Sequence, residues 1–264
     1  MNKDNIKILF IGDIVGRPGR RTVREVLPVL KDEESLDFVI ANGENLAAGK
    51  GMTYDTYQEM IDAGVDYFTS GNHIWNNKEI IEHLDDERVK IIRPINYPEG
   101  SPGRGVGRVS DEVVVINAQG RVFMKDDVDD PFTTILNVVT KNKDKIILVD
   151  IHAEATSEKV ALGYYLDGKV SAVLGTHTHV QTSDEKILEK GTGYITDVGM
   201  TGPEDSVLGV KKDIIIEKFL TQLPASHKVA SGDTIFDAVV LTINKKTKKC
   251  TKIKRISKTI KSQP

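Results

Sequence analysis

The chain has 264 residues, 39% of them apolar and 28% charged, with one cysteine and a formal net charge of −3. One cysteine excludes a disulfide framework and a thiolate-rich metal site, and no apolar run approaches the ~20 residues of a membrane span. Nine basic residues and no acidic one lie between Lys245 and Lys261, which leaves 27 basic against 39 acidic residues, a net −12, in the remainder; so acidic a body argues against a general nucleic-acid binder.

Along the chain, short β-branched apolar runs alternate with helical patterns. Residues 8–11 read as the first strand; the run is too short for a signal-peptide core, so a cytoplasmic protein is expected. A helix at 22–30 follows, then a strand at 38–41, a helix around 54–63, a strand at 66–69, a helix near 78–84 and a strand at 90–93. Residues 106–124 look antiparallel, with strand-like runs at 113–116 and 122–124 and a turn at Gln119-Gly120. Asp130 before Pro131 reads as the N-cap of a helix over 131–141. Strands follow at 146–151, 170–174 and 193–196, with a helix at 157–166 between the first two. The end, 236–243 and 252–260, reads as a hairpin whose lysine-rich second strand is a solvated edge. The alternation predicts an α/β sandwich with a largely parallel sheet, or two sheets between helical layers. No repeat or linker divides the chain, so one domain over 1–264 is expected.

Polar residues recur at the ends of these strands. Asp13 follows the first, Glu44 and Asn45 the second, Asn72 and His73 the third; His152 ends the strand at 146–151, and His177 and His179 follow the strand at 170–174. Strand carboxyl ends share one edge of a parallel sheet, where ligands bind. Each residue alone has an ordinary explanation as a turn former, cap or core histidine. Five strand ends polar in the same way do not. Oxygen and nitrogen donors without a thiolate suit manganese, iron or zinc, and so many donors exceed the needs of one ion, so two ions are expected. On an extended chain, His177 and His179 at i, i+2 point the same way. Glycines 12, 43, 71 and 175 are expected to let the backbone turn sharply. Trp75 and Tyr97 are read as pocket or core, Arg17 and Arg20 as phosphate contacts or surface salt bridges, and His83 and His227 as ordinary surface histidines.

At these residues the sequence resembles the calcineurin-like metallophosphoesterases. Three departures stand out: Val15 where a histidine is usual, Glu44 where the bridging carboxylate is usually aspartate, and Ile74 where an acid usually follows Gly-Asn-His. All three fit the YmdB-like family of bacterial 2′,3′-cyclic nucleotide 2′-phosphodiesterases. The match runs through Gly12-Asp13-Ile14-Val15-Gly16-Arg17-Pro18-Gly19-Arg20, Asn42-Gly43-Glu44-Asn45, Gly71-Asn72-His73-Ile74-Trp75 and Arg93-Pro94-Ile95-Asn96-Tyr97-Pro98. It continues through residues 150–159, 175–180 and 196–203.

The resemblance implies a four-layer α/β/β/α metallophosphoesterase sandwich with mixed sheets. It implies two divalent or trivalent ions, iron or manganese. Asp13, Asn45 and His179 would hold one ion, Asn72, His152 and His177 the other, and Glu44 would bridge. His73 would be the general acid in hydrolysis of 2′,3′-cyclic nucleotides to 3′-nucleotides. The expected partners are a small-molecule cyclic nucleotide and further copies of the chain in a homo-oligomer, with no membrane. An RNA link would rest on the basic C-terminal strand alone. The competing readings are a phosphomonoesterase on the same metal site, another dinuclear hydrolase, and a non-catalytic RNA-binding or regulatory protein.

Overall fold

The computed structural model describes residues 4–262. Its strands are β1 (Asn5–Ile11), β2 (Asp13–Ile14), β3 (Phe38–Asn42), β4 (Tyr67–Thr69), β5 (Val106–Arg108), β6 (Val113–Gln119), β7 (Ile146–His152), β8 (Ala172–Thr176), β9 (Lys186–Ile187), β10 (Gly193–Ile195), β11 (Met200–Pro203), β12 (Thr234–Asn244) and β13 (Cys250–Ile260). The helices are α1 (Gly16–Glu34), α2 (Tyr54–Asp62), α3 (Lys78–Ile81), α4 (Pro131–Val139), α5 (Thr156–Leu166) and α6 (Lys212–Thr221), with a 3₁₀ turn over Asn72–Asn76.

The strands form two sheets. The first runs β2-β11-β12-β1-β3-β4, with β13 on the other edge of β12; the second runs β5-β6-β7-β8-β10-β9. Both are mixed. β1, β3 and β4 are parallel, as are β6, β7, β8 and β10, whereas β12 is antiparallel to β1, β11 and β13.

Period-two alternation sorts each strand between two cores. In β1, Ile8 and Phe10 face the second sheet and pack with Val113, Val115, Leu148 and Leu174. Leu9 and Ile11 face the other way, onto Val23, Leu27 and Leu30 of α1 and Met60 of α2. The far face of the second sheet packs Ile147 and Val149 on Ile135 of α4 and Leu162 of α5. The layers are therefore helix, sheet, sheet, helix, as expected. Each fully buried Ile or Leu contributes about 1.5–3 kcal/mol to holding them together. No helix among the described residues is long and apolar enough to cross a membrane.

Several local expectations need correction. Residues 90–93 form no strand; Ile91 makes only an isolated bridge to Phe68. Residues 122–124 are not a strand either. The antiparallel partner of β6 is β5, with Val106 opposite Ile116, so the chain reverses at 109–112 rather than at Gln119-Gly120. Helix α1 begins at Gly16, six residues before its apolar periodicity does; in this first stretch Gly19 packs so closely on β11 that a Cβ there would lie 2.3 Å from the Thr201 carbonyl oxygen. Helix α6 carries no sequence signal, because no residue of it is buried and its Ile214-Ile215-Ile216 run mimics a strand. The Asp130 cap is present, accepting from the amides of Phe132 and Thr133. The C-terminal hairpin is present too, with β13 paired along one edge only.

Candidate functional site

The carboxyl ends of strands from both sheets meet at one crevice. At its centre is the Nε2 atom of His152, a residue with no exposed surface. Around it lie Glu44 Oε1 at 3.2 Å, Asn72 Oδ1 at 3.3 Å and His177 Nδ1 at 3.0 Å. Next to this group, the Asn45 amide lies 3.4 Å from Asp13 Oδ1, 3.2 Å from His179 Nε2 and 3.2 Å from Glu44 Oε1. The His177 amide donates to Asp13 Oδ2 at 3.1 Å. Seven residues from five strand ends thus form two adjoining groups that meet at Glu44.

The protons do not suffice for this set, and that is the test of whether metal fits. The Thr176 hydroxyl donates to Asp150 Oδ1 at 2.8 Å, so its oxygen accepts from His152 Nδ1–H at 2.9 Å. His152 Nε2 then faces three acceptor atoms, and the one proton its charged ring carries there can satisfy only one of them. His179 Nδ1–H donates to the Leu208 carbonyl at 3.1 Å, which aims its Nε2 lone pair at Asn45 and Asp13. The second nitrogen of His177 sits 3.1 Å from Glu154 Oε2. Each imidazole has one nitrogen fixed by a partner outside the group and the other turned inward, the arrangement that prepares histidine to bind metal. Glu44, His152 and His177 place one ligand atom each within 4.8 Å of one another. Converging acceptors with fewer protons than lone pairs among them fit cations.

Comparison with known proteins gives the family. A family model for YmdB-like proteins matches residues 9–256. The chain is 50% identical over 256 residues to the 2′,3′-cyclic-nucleotide 2′-phosphodiesterase of Bacillus subtilis (strain 168), covering 95% of this chain and 96% of that one. The chain belongs to the YmdB-like family. It is also 37% identical to a putative phosphatase/phosphodiesterase of Mycoplasma genitalium, covering 96% of this chain and 93% of that one. Two solved structures share its architecture. A hypothetical protein from Thermus thermophilus matches at a TM-score of 0.90 with 43% identity, over 96% of this chain and 99% of that one. A novel phosphatase from Mycoplasma pneumoniae matches at 0.91 with 33% identity, over 97% and 94%.

Burial shapes the electrostatics of the crevice. Burial pushes the Asp13 carboxyl up, against the pull of His179 and His152. Burial alone would also raise Glu44, but the His152 charge and hydrogen bond outweigh it and hold the carboxyl well below its usual range. For His152, burial favours the neutral ring, yet Glu44, Asp13 and Asp150 together lift it to about 9. Burial and the neighbouring His152 charge push His177 down to about 3.

Two sequence expectations about backbone shape are overturned. The chain at His177 and His179 is not extended: both have left-handed φ, 97° and 63°, conformations rare for non-glycine residues and costly unless the surroundings impose them. A buried ion pair holds the backbone just before and between these two histidines. Lys159 Nζ donates to Asp197 Oδ2 at 2.7 Å and to the Thr176 carbonyl at 2.7 Å, while the Thr178 amide and hydroxyl both donate to that same Asp197 oxygen. Nor do glycines 12, 43, 71 and 175 serve as turns, since none has positive φ. They provide room instead. A Cβ on Gly71 would lie 2.2 Å from His152 Cδ2 and 2.4 Å from Glu44 Oε2.

His73 borders the cavity over this crevice. Its backbone amide donates to Glu44 Oε2 at 3.0 Å and its Nδ1–H to Asn76 Oδ1 at 2.8 Å, leaving Nε2 as the free ring nitrogen. His227 is exposed at the rim of the same cavity. His83 instead lies against Tyr54, ring centroids 4.5 Å apart. Arg20 pairs with Glu59 at 2.6 Å and serves the link between α1 and α2, and Arg17 is exposed. Trp75 and Tyr97 pack edge to face, 5.2 Å between ring centroids, with Trp75 against the α1–α2 core. Beneath the crevice, Asn42, Asp150 and Thr176 form a fully buried polar layer joining the sheets, with Asn42 donating to Asp150 Oδ2 at 3.3 Å. Burial there lifts Asp150 to about 7. In the sequence Asn42, Asp150 and Thr176 sit one or two positions before Glu44, His152 and His177, inside apolar runs that hide them.

Proposed function

We propose that the protein is a metal-dependent phosphodiesterase that hydrolyses 2′,3′-cyclic nucleotides to 3′-nucleotides. The observation that carries the reading is the proton-poor convergence of Glu44, Asn72, His177 and His152 around one point, in a chain half identical to a protein named for that activity. Asp13, Asn45 and His179 would hold one ion, Asn72, His152 and His177 a second, with Glu44 shared. The oxygen and nitrogen donors suit iron or manganese. When bound, such ions neutralise phosphate charge and make a nucleophile of water near neutral pH.

The chain's own residues do the rest. Thr176, Leu208 and Glu154 fix the three imidazole rings, so the inward nitrogens need no reorganisation when substrate arrives. Water attacks phosphorus and gives up one proton to solvent, the bond from phosphorus to the ribose 2′ oxygen breaks, and that oxygen takes a proton from His73 Nε2. The imidazolium form of His73 donates at both nitrogens, Nδ1–H to Asn76 and Nε2–H into the cavity, and positioned acid catalysis of this kind is worth roughly 10²–10⁴-fold.

A panel of cyclic nucleotides against simple phosphate monoesters, run on wild type and His73→Ala, tests the reading. The wild type is expected to prefer 2′,3′-cyclic nucleotides and to release the 3′-nucleotide. His73→Ala is expected to keep its metal and lose far more activity on 2′,3′-cyclic nucleotides than on bis-nitrophenyl phosphate, whose leaving group needs no proton. Preference for monoesters would favour the phosphomonoesterase reading. Equal losses on both diesters would remove the general-acid role.

A further inference from the structure

The cavity over the crevice, about 330 Å³, is lined both by the carboxylate–histidine groups and by an apolar wall that includes Leu208, Ile215 and Phe219. Its volume is within the range of small-molecule sites. Ile215 and Phe219 are four residues apart on α6 and therefore share one face of that helix. Phe219 is 72% exposed, and α6 buries none of its residues. Packing within the protein therefore gives no reason for an aromatic ring at this position. The chain on both sides of α6 is nonetheless anchored. The Leu208 carbonyl accepts from His179, Val210 bridges to Val229, and the Ala230 amide donates to the Gly209 carbonyl at 2.9 Å.

We propose that Phe219, backed by Ile215 and Leu208, is the platform on which the nucleobase of the substrate stacks, and that this wall makes the site prefer nucleotides over other phosphodiesters. The proposal rests on the reading that phosphate is held at the carboxylate–histidine groups. A ligand with an anion at one end and a flat apolar ring at the other matches the two kinds of lining in this one cavity. Stacking on an aromatic side chain is sequence-tolerant, because every base has a π-face, and is worth roughly 5- to 150-fold in affinity per base. The platform should therefore discriminate base from no base more strongly than one base from another.

The test compares metal-loaded wild type, Phe219→Ala and Phe219→Trp by calorimetric titration with 3′-AMP and with inorganic phosphate. Phe219→Ala is expected to weaken 3′-AMP binding about tenfold and leave phosphate binding unchanged, with Phe219→Trp restoring it. In turnover, KM for 2′,3′-cyclic AMP should rise by the same factor at nearly constant kcat, while ribose 2′,3′-cyclic phosphate lacking a base is unaffected. Unchanged 3′-AMP affinity in Phe219→Ala would overturn the proposal, as would equal weakening of 3′-AMP and phosphate, or a wild type that binds 3′-AMP no tighter than phosphate. Base-dependent binding through Phe219 without hydrolysis of any cyclic nucleotide would refute the proposed activity and leave the platform standing.

Discussion

Lys159 and Asp197 form an ion pair at 2.7 Å with both side chains 1% exposed. Removing one partner of a buried pair leaves an uncompensated charge and costs about 3–5 kcal/mol. Lys159→Ala should therefore lower the Tm by roughly 10 °C in a chain of this size, where each kcal/mol is worth about 2–4 °C. Because Asp197 also anchors Thr178, between two inward-facing histidines, Asp197→Leu combined with Lys159→Met should recover stability but not metal. Thermal unfolding and metal content measured on the same samples check this. A stable double variant with full metal content would show that the pair does not hold the His177–His179 turn.

Gly71 tests the packing of the crevice. A methyl group there would overlap the His152 ring and the Glu44 carboxylate, so Gly71→Ala should displace one of them. Loss of metal with an unchanged circular dichroism spectrum is expected. Full metal content in Gly71→Ala would mean that the backbone yields without disturbing either side chain.

Metal uptake should depend on pH through His152. In the metal-free protein its pKa lies at about 9, and only the neutral ring can bind metal. Below that value each binding event must release the proton from His152. Apparent affinity should then rise about tenfold per pH unit and level off above pH ~9. His177, held down to about 3, is already neutral and adds nothing to this slope. Calorimetry in buffers of different ionisation enthalpy counts the protons; none released at pH 7 would contradict the assignment of His152 as a ligand.

The basic C-terminal strand is balanced rather than open. Lys254 pairs with Glu34 at 2.6 Å, Arg255 with Glu185 at 2.7 Å and Lys258 with Glu33 at 3.6 Å, and no residue of β13 borders the cavity. Exposed pairs of this kind are worth about 0–1 kcal/mol. Replacing Lys252, Lys254 and Arg255 together by Gln should leave cyclic-nucleotide turnover within a factor of about two. A large rise in KM at constant metal content would place the tail at the substrate.

The strand–helix alternation and the polar strand ends made the architecture and the seven clustered residues legible in the sequence, because strand ends and their side-chain chemistry are local properties. What surrounds those residues was not legible. Lys159 and Asp197 lie on an α5 helix and a loop 38 residues apart, and only the tertiary fold brings them together. Glu154 sits two residues after His152 and, half exposed, reads as any surface acid until its carboxylate meets His177. Helix α6 has no buried stripe to reveal it. The four glycines were recognised as necessary but for the wrong reason, since sequence shows that a Cβ is missing and not what would collide with it.

Glu44 carries the central claim. Its Oε1 lies 3.2 Å from His152 Nε2 and 3.2 Å from the Asn45 amide, where the two groups of donors meet. The decisive measurement is elemental analysis by mass spectrometry of freshly purified wild type and Glu44→Gln, with 2′,3′-cyclic AMP turnover on the same samples. Two ions per chain in the wild type, with at most one ion and nearly abolished turnover in Glu44→Gln, are predicted. Two ions per chain and undiminished turnover in Glu44→Gln would contradict the account.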